Sequence, residues 1–527
     1  MPRMQKNSPK VLKLALKFQC MQFDLRHFRN LLGLILIGWL SACNLEHERL
    51  DLNPTQGLRF SADTIYFDTV FTELKTVTFR LRVYNPNTNA VRINAAYVNG
   101  YKGQFPFSFS FQGRNGPNRV ENVELEGLDS AYVLMSARLD GRNQDNPFIL
   151  KDSIVFEVAG RSQKQDVKVL AYGQDALYLR NRSVNCDTTW KEDRPIILLD
   201  TVSVKKGCKL TIEAGTKVYG YNSAFLIVRG ELDVKGSKEK PVVFQGTRLE
   251  NYYSDVPGQW GGILIMDGGL GLIDHCLLKN SYRGIQVGEV GLKAENESNA
   301  ALKITNSYIH NIVDYGILGL KGVVAAINNQ FADCGEGGIT GLQGGVYQLW
   351  HNTFGFSGNN PFRRDGKFQL AFSDNYPDAR TQTLYGGQLR VKAVNNLIAG
   401  SEEDEIAFGE KLVTDLDFDT TFLHNIMRSK QAVFFGNTSR NSGNKKLPFN
   451  FRFLEPFQYD LSADTLGSAE IYSTGIPLND AISLFPALIS DIELRSILAT
   501  DILGNPRPVQ AGQAPDAGAY NNRKRKN

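Results

Sequence analysis

The chain lacks any CxxC pair, so the thiolate spacing of a structural zinc site is missing. It also lacks a long apolar run. The most apolar stretch, Leu31 to Leu40, reads LLGLILIGWL, and ten helical residues span about 15 Å, half a bilayer core and too short to cross one. Neither sign of charge dominates. Lys and Arg number 59 against 55 Asp and Glu, and both signs are interspersed, so the composition implies no nucleic-acid partner. Methionine (6) and histidine (6) are scarce, whereas 49 glycines, 31 phenylalanines and 20 tyrosines suit an all-β chain rich in turns.

The short apolar run does fit the central region of an export signal, with Arg26, His27 and Arg29 as its basic flank. Leu40-Ser41-Ala42-Cys43 comes at once after it and resembles the lipobox of bacterial lipoproteins. That resemblance implies cleavage before Cys43, lipid on the Cys43 thiol, and an outer-membrane lipoprotein on the periplasmic or cell-surface face. Residues 1–42 are then signal peptide, with Met21 an alternative start. Each buried acyl CH₂ contributes about 0.8 kcal/mol, and more than one chain makes an anchor durable.

Residues 43–57 are polar and read as a tether. From 58 to 173, short runs alternate apolar and polar residues and stop at turn signals. Thr76-Val77-Thr78-Phe79-Arg80-Leu81-Arg82-Val83-Tyr84, ended by Asn85-Pro86-Asn87, is the clearest. Seven or eight such runs predict an immunoglobulin-like β-sandwich.

From 174 the pattern becomes a repeat. The fourth position of one column falls at residues 276, 307, 329, 352, 396 and 425, with spacings of 31, 22, 23, 44 and 29. A Gly-Ile column (262, 284, 316, 338) alternates with it at 22, 32 and 22. A period of 22 with short β-runs predicts a single-stranded parallel β-helix over 174–521, then a basic tail at 522–527. Asn329, Asn352, Asn396 and Asn425 share one corner, where stacked amides can satisfy turn groups that strands cannot. Cys186 and Cys208 lie one coil apart and predict a disulfide. Cys276 and Cys334 take different corner offsets and read as buried free thiols.

The segments Leu210–Thr216, Leu226–Leu232, Pro241–Phe244 and Pro257-Gly258-Gln259-Trp260-Gly261-Gly262-Ile263 resemble bacterial right-handed parallel β-helix lipoproteins of the pectin-lyase-like fold. The end of the chain, Asp501–Pro508 with Pro515–Tyr520, resembles their closing segment, although Asn521 stands where a Glu usually does. The resemblance implies a right-handed solenoid and an envelope role as a non-catalytic glycan- or protein-binding module. The alternative is a polysaccharide lyase or glycoside hydrolase, but the paired aspartates, His and Arg-Ile-Lys cluster of a polygalacturonase are missing. No cofactor is expected apart from calcium, for which Glu402, Glu403, Asp404 and Glu405 are the densest acidic run. Ligand-binding candidates are Tyr252, Tyr253 and Trp260, expected to be exposed aromatics, and Arg283.

An Asp-Ser/Thr-apolar (or Thr) pattern recurs eight times and resembles the acceptor motif of a periplasmic O-glycosylation system. It marks Thr64, Thr69, Ser130, Ser153, Thr188, Thr201, Thr420 and Thr465. The same pattern also describes a turn entering a strand. Glycosylation predicts an intact mass, for protein from its native host, above that of chain plus lipid; a mass without that excess refutes it.

Overall fold

The computed structural model describes residues 49–100, 106–116, 118–291, 299–357, 366–412, 418–448, 451–463, 473–477, 479–480, 491–508 and 513–521. Cys43, the signal segment, Thr465 and the basic tail lie outside the described residues.

The alternating run at 76–84 becomes the strand Phe79–Tyr84, in which Leu81 and Val83 are buried while Arg80 and Arg82 are exposed. It belongs to a five-stranded sheet, ordered Arg59–Phe60, Phe79–Tyr84, Ser130–Ala137, Phe107–Phe111, Arg114–Gly116. A six-stranded sheet faces it and includes Ala90–Val98, Phe148–Val158, Gln165–Gln174 and Thr64–Phe71. Leu81, Val133 and Phe111 from the first sheet share one core with Ile65, Ile93, Ile154 and Phe156 from the second. The unit is thus a two-sheet sandwich. Its edge strand Thr64–Phe71 runs parallel to Gln165–Gln174, a pairing that alternation alone does not reveal.

Beyond it, three long parallel sheets of eleven, nine and ten strands form the walls of a β-helix. The first wall runs from Leu177–Leu179 to Lys445–Lys446, the second from Arg182–Ser183 to Ile406–Phe408, and the third from Thr188–Trp190 to Asn441–Ser442. Val, Leu, Ile and Phe fill the interior in files. Phe331 and Phe354, on neighbouring coils, stack with ring centroids 4.9 Å apart. The stacking ends at Lys446. Among the described residues, the chain after Lys446 adds no further coil: an antiparallel pair, Phe453–Glu455 with Asp460–Ala463, and a helix, Asp491–Leu498, pack on the outside. The expected span of 174–521 therefore divides into coils and an external C-terminal strap. No described helix is long and apolar enough to cross a membrane.

The corner between the third and first walls explains the asparagine column. Each Asn side-chain oxygen accepts the backbone N–H of its neighbour one coil earlier: Asn352 from Asn329 (3.0 Å), Asn396 from Asn352 (2.9 Å) and Asn425 from Asn396 (2.9 Å). Each Nδ2 donates to the next amide and to a backbone carbonyl, as Asn352 does to Asn396 (3.0 Å) and Ala326 (2.8 Å). Both ends are finished by residues outside the expected set. Ser307 starts the file by accepting from Cys276 N–H (3.0 Å), and Asn444 extends it by accepting from Asn425 N–H (2.9 Å). The residue before each step must turn with positive φ, and Asn306, Asn328, His351, Asn395 and His424 all do (49° to 61°). Asn and His tolerate that region better than most side chains.

The glycine column is explained mainly by close approach rather than by positive φ. Of its four members only Gly262 has positive φ (124°). A Cβ on Gly284 would lie 2.2 Å from the carbonyl oxygen of Gly316, so close approach between coils excludes any side chain there.

Sandwich and solenoid are joined by an apolar contact. Phe71 and Leu74 meet Ile197, Tyr219 and Leu249, with the Phe71 and Tyr219 rings 4.7 Å apart.

Candidate functional site

Backbone hydrogen bonds between coils stack four positions where the first wall turns into the second. Tyr282 N–H donates to Trp260 O (2.6 Å), Asp314 N–H to Tyr282 O (2.8 Å) and Glu336 N–H to Asp314 O (3.0 Å). These positions sit two residues before each member of the glycine column, so Trp260, Tyr282, Asp314 and Glu336 form one file. Lys367 closes it, its Nζ 2.5 Å from Glu336.

Trp260 does not serve as an exposed platform, which corrects the expectation. It is 1% exposed, its ring stacks on Phe244 (6.4 Å), and its indole N–H donates to Lys279 O (2.9 Å). The reason is its place in the file: at the first step of the corner the side chain turns into the core. At the next coil the side chain turns out, and Tyr282 is 54% exposed.

Arg283 lies beside this file. Its Nε and a terminal nitrogen reach one oxygen of Asp314 (2.8 and 2.5 Å), while the other terminal nitrogen donates to Gln286 (2.5 Å). Burial raises the Asp314 carboxyl, and Arg283 opposes that rise. Burial likewise pushes the Tyr315 hydroxyl up to about 12, with Asp314 and Glu336 adding to it. The strip thus offers one exposed ring, two carboxylates on successive coils and two cations, each already holding a carboxylate. It can grip a hydroxylated chain by ring stacking and hydrogen bonds. Adjacent coils are about 4.8 Å apart, and the Glu336 charge adds to the rise of the Asp314 carboxyl.

Tyr252 and Tyr253 lie in a one-turn helix just before the first member of the file, with Tyr252 82% exposed. Tyr253 is covered by Arg248, whose guanidinium sits 3.6 Å from the ring centroid. The loop that carries both tyrosines is tied to residues next to the file: Gln259 Nε2 donates to Tyr253 O (2.6 Å) and Asn280 Nδ2 to Ser254 O (3.0 Å).

The carboxylates of the acidic run at 402–405 make separate contacts. Glu405 is fully buried and accepts the backbone N–H groups of Gln369 (3.2 Å) and Glu402 (2.8 Å). Asp404 accepts from Ser429 Oγ and Lys430 N–H, both 2.6 Å, and Glu403 pairs with Lys430. Each carboxylate secures its own loop. Among the described residues, no group of three or more His, Cys, Asp or Glu could hold a metal ion.

Cys186 and Cys208 are joined in a disulfide, Cα atoms 4.5 Å apart, tying the first coil to the second. Cys276 and Cys334 are buried thiols outside any disulfide, and burial pushes the Cys276 thiol up. Of the Ser and Thr acceptor candidates, Thr64, Ser130 and Thr188 begin strands, and Thr69, Ser153 and Thr420 lie within them. Thr201 immediately precedes Val202–Val204. At Asp68, Asp152 and Asp200 the carboxylate accepts the N–H of the next residue (2.8, 2.7 and 2.8 Å). Of these three aspartates only Asp200 precedes a strand; Asp68 and Asp152 lie inside theirs.

No curated protein matches the chain. Among solved structures, the alignments are partial and distant. A family 123 glycoside hydrolase from Clostridium perfringens, described in terms of glycolipid glycan hydrolysis, is 8% identical over 24% of this chain and 30% of its own (TM-score 0.18). A protein of unknown function from Porphyromonas gingivalis W83 is 15% identical over 25% of this chain and 60% of its own (TM-score 0.17). The chain thus spans less than two thirds of either protein. The Agl-KA catalytic domain is 10% identical over 71% of this chain and 88% of its own (TM-score 0.18). Residues 182–313 match a family model described as a pectate-lyase like beta helix domain, and the same parallel stacking continues beyond that match to Lys446.

Proposed function

We propose that this chain is a lipid-anchored envelope protein, held through Cys43, whose right-handed solenoid binds a polysaccharide strand without cleaving it. On this reading the sandwich is immunoglobulin-like and carries the solenoid away from the membrane. What supports the binding role is the file on the second wall. It combines an exposed Tyr282 with carboxylates already satisfied by cations, Asp314 by Arg283 (2.5 Å) and Glu336 by Lys367 (2.5 Å). A general acid or base must be within hydrogen-bond reach of the substrate in the right protonation state. Carboxylates gripped by Arg and Lys are better placed to orient hydroxyls than to exchange protons.

The second reading is a lyase or hydrolase, favoured by the raised carboxyl of Asp314 beside Glu336. One experiment separates the two. A panel of neutral and acidic polysaccharides is assayed for binding and for new reducing ends or unsaturated uronates. The expected result is binding without product, weakened about fivefold or more in Tyr282→Ala by loss of ring contact. Product that appears with the native chain and disappears in Asp314→Asn would replace binding with catalysis.

A further inference from the structure

On the six-stranded sheet and its flank, three exposed cations are matched across the surface: Arg92 with Glu124 (2.8 Å), Arg119 with Glu121 (2.6 Å), Lys164 with Glu157 (2.7 Å). Lys151 and Lys168 are exposed on other strands of that sheet. On the five-stranded sheet the unmatched cations gather beside tyrosines. Arg80, Arg82 and Tyr84 project outward between the buried Leu81 and Val83, and Ser130, Tyr132 and Leu134 project beside them. Strand register sets Arg82 opposite Tyr132 and Arg80 opposite Leu134. Among the described residues no carboxylate lies within ion-pair distance of Arg80, Arg82 or Lys75.

Arg82 is the centre of the arrangement. Its guanidinium carbon is 5.4 Å from the ring centroids of both Tyr84 and Tyr132, and its Nε donates to Ser130 Oγ (2.9 Å). Held this way, the guanidinium loses little further freedom on meeting a ligand. Tyr132 is 49% exposed, so its ring remains available. The next strand adds hydroxyls: Ser110 faces Leu134, and Ser108 faces Ser136 with their oxygens 3.0 Å apart.

This surface runs into a recess of about 620 Å³ at the end of the sheet. Lys75 and Arg138 meet there across a strand bridge, with Arg142 opposite and Asp140 as the only carboxylate in the lining. Glu73 takes part of the charge of Arg138 (3.3 Å). Cations therefore continue from the sheet face into the recess.

We propose that this face is a separate binding surface for an acidic polysaccharide. Carboxylate or sulfate groups of the chain pair with Arg80, Arg82 and Lys75, sugar rings lie against Tyr84 and Tyr132, and ring hydroxyls meet the serines. Unmatched cations select an anionic ligand, and the flat mixture of tyrosine and hydroxyl selects one that alternates apolar ring faces with hydroxyl groups. The face is on the sandwich, so it does not depend on what the solenoid binds.

The test titrates the full-length protein with polygalacturonate, chondroitin sulfate and neutral dextran by calorimetry, at low and at physiological salt. The expected result is binding of an acidic chain but not dextran, weakened by salt. Arg80→Gln/Arg82→Gln is expected to lower affinity about tenfold or more by removing two charge-assisted contacts. Tyr282→Ala on the solenoid leaves that contribution in place. Lys75→Gln and Tyr132→Ala, at exposed positions, repeat the test should the double variant unfold. Three results overturn the proposal: acidic chains that do not bind, wild-type affinity in all the sandwich variants, or tighter binding of duplex DNA or phosphatidylglycerol vesicles. Binding lost in Tyr282→Ala but kept in the sandwich variants sinks this surface and leaves the solenoid reading standing.

Discussion

Replacing Arg507 with methionine is expected to destabilise the solenoid by about 3–5 kcal/mol, the cost of removing one member of a buried charged network. Arg507 lies in the C-terminal strap and is buried, and burial draws its guanidinium down to about 10. Its terminal nitrogens donate to Thr500 O (2.6 Å), Asn328 Oδ1 (2.8 Å), Gly518 O (3.1 Å) and Ala519 O (2.9 Å). Three of these acceptors are backbone carbonyls that no substitution can remove. Methionine fills much of the volume but donates nothing, so each carbonyl loses its charged donor and keeps one weaker partner. These are Asn328 Nδ2 on Thr500 O (3.4 Å), His351 on Gly518 O (3.3 Å) and Ile502 N–H on Ala519 O (3.0 Å). Each lost bond to the charged group costs about 1.5–3 kcal/mol. That separates this case from exchanging a whole buried ion pair for apolar groups, which can be neutral.

The loss should also be local before it is global. The strap is tied to the coils through Arg507 to Asn328, Ala519 N–H to Thr353 (2.9 Å) and the Tyr520 hydroxyl to Gln330. Without Arg507, limited proteolysis is expected to cut the strap well before the coils. Unfolding in urea is tracked by tryptophan emission, since Trp190, Trp260 and Trp350 all lie in the solenoid. A midpoint within the error of the native chain, with an uncut strap, would show that the carbonyls find other partners.

Arg507 marks the limit of what the sequence makes legible. The coils could be read because they obey a rule that repeats: an apolar file, a residue tolerant of positive φ, then an amide. Asn329, Asn352, Asn396 and Asn425 recur because each must satisfy the backbone of its neighbour, and a chemical requirement repeated per coil leaves a periodic trace. The strap meets its requirement once, between residues 179 positions apart in the case of Arg507 and Asn328, and leaves no period. The file of the candidate site was hidden for a third reason. Its backbone geometry repeats, but its side chains read Trp, Tyr, Asp, Glu, so composition masks the column. Counting two residues back from each glycine would have found it. The same count shows why Trp260 misled: a Gly-Gln-Trp-Gly turn looks exposed, yet this coil directs its aromatic inward.

The second large effect comes from two buried histidines, His351 at the asparagine corner and His310 inside the strand Tyr308–Ile312. Lowering the pH from 7 to 5 is expected to cost about 4 kcal/mol of stability through two buried histidines, roughly 2 each. Burial lowers His310 to about 3, with Lys279 opposing protonation further, and burial with Arg507 beside it lowers His351 well below the usual range. For a base held neutral by the fold, the unfolded chain binds more protons, so stability is full above the unfolded value near 6.5 and falls as pH drops below it. Carboxylates titrate mostly below this window and add little to it. His310 is stacked on Tyr459 (ring centroids 4.2 Å apart). His351 lies between Gly518 O (3.3 Å from Nδ1) and the Asn395 amide (3.0 Å from Nε2), so a proton on Nε2 would face the donating Nδ2. The decisive variant is His351→Asn, because Asn306, Asn328 and Asn395 hold the same corner at positive φ on other coils. It keeps the turn and removes one titrating group, so the loss between pH 7 and 5 should fall to about half. An unchanged pH slope in that variant would mean that His351 is not what the acid attacks.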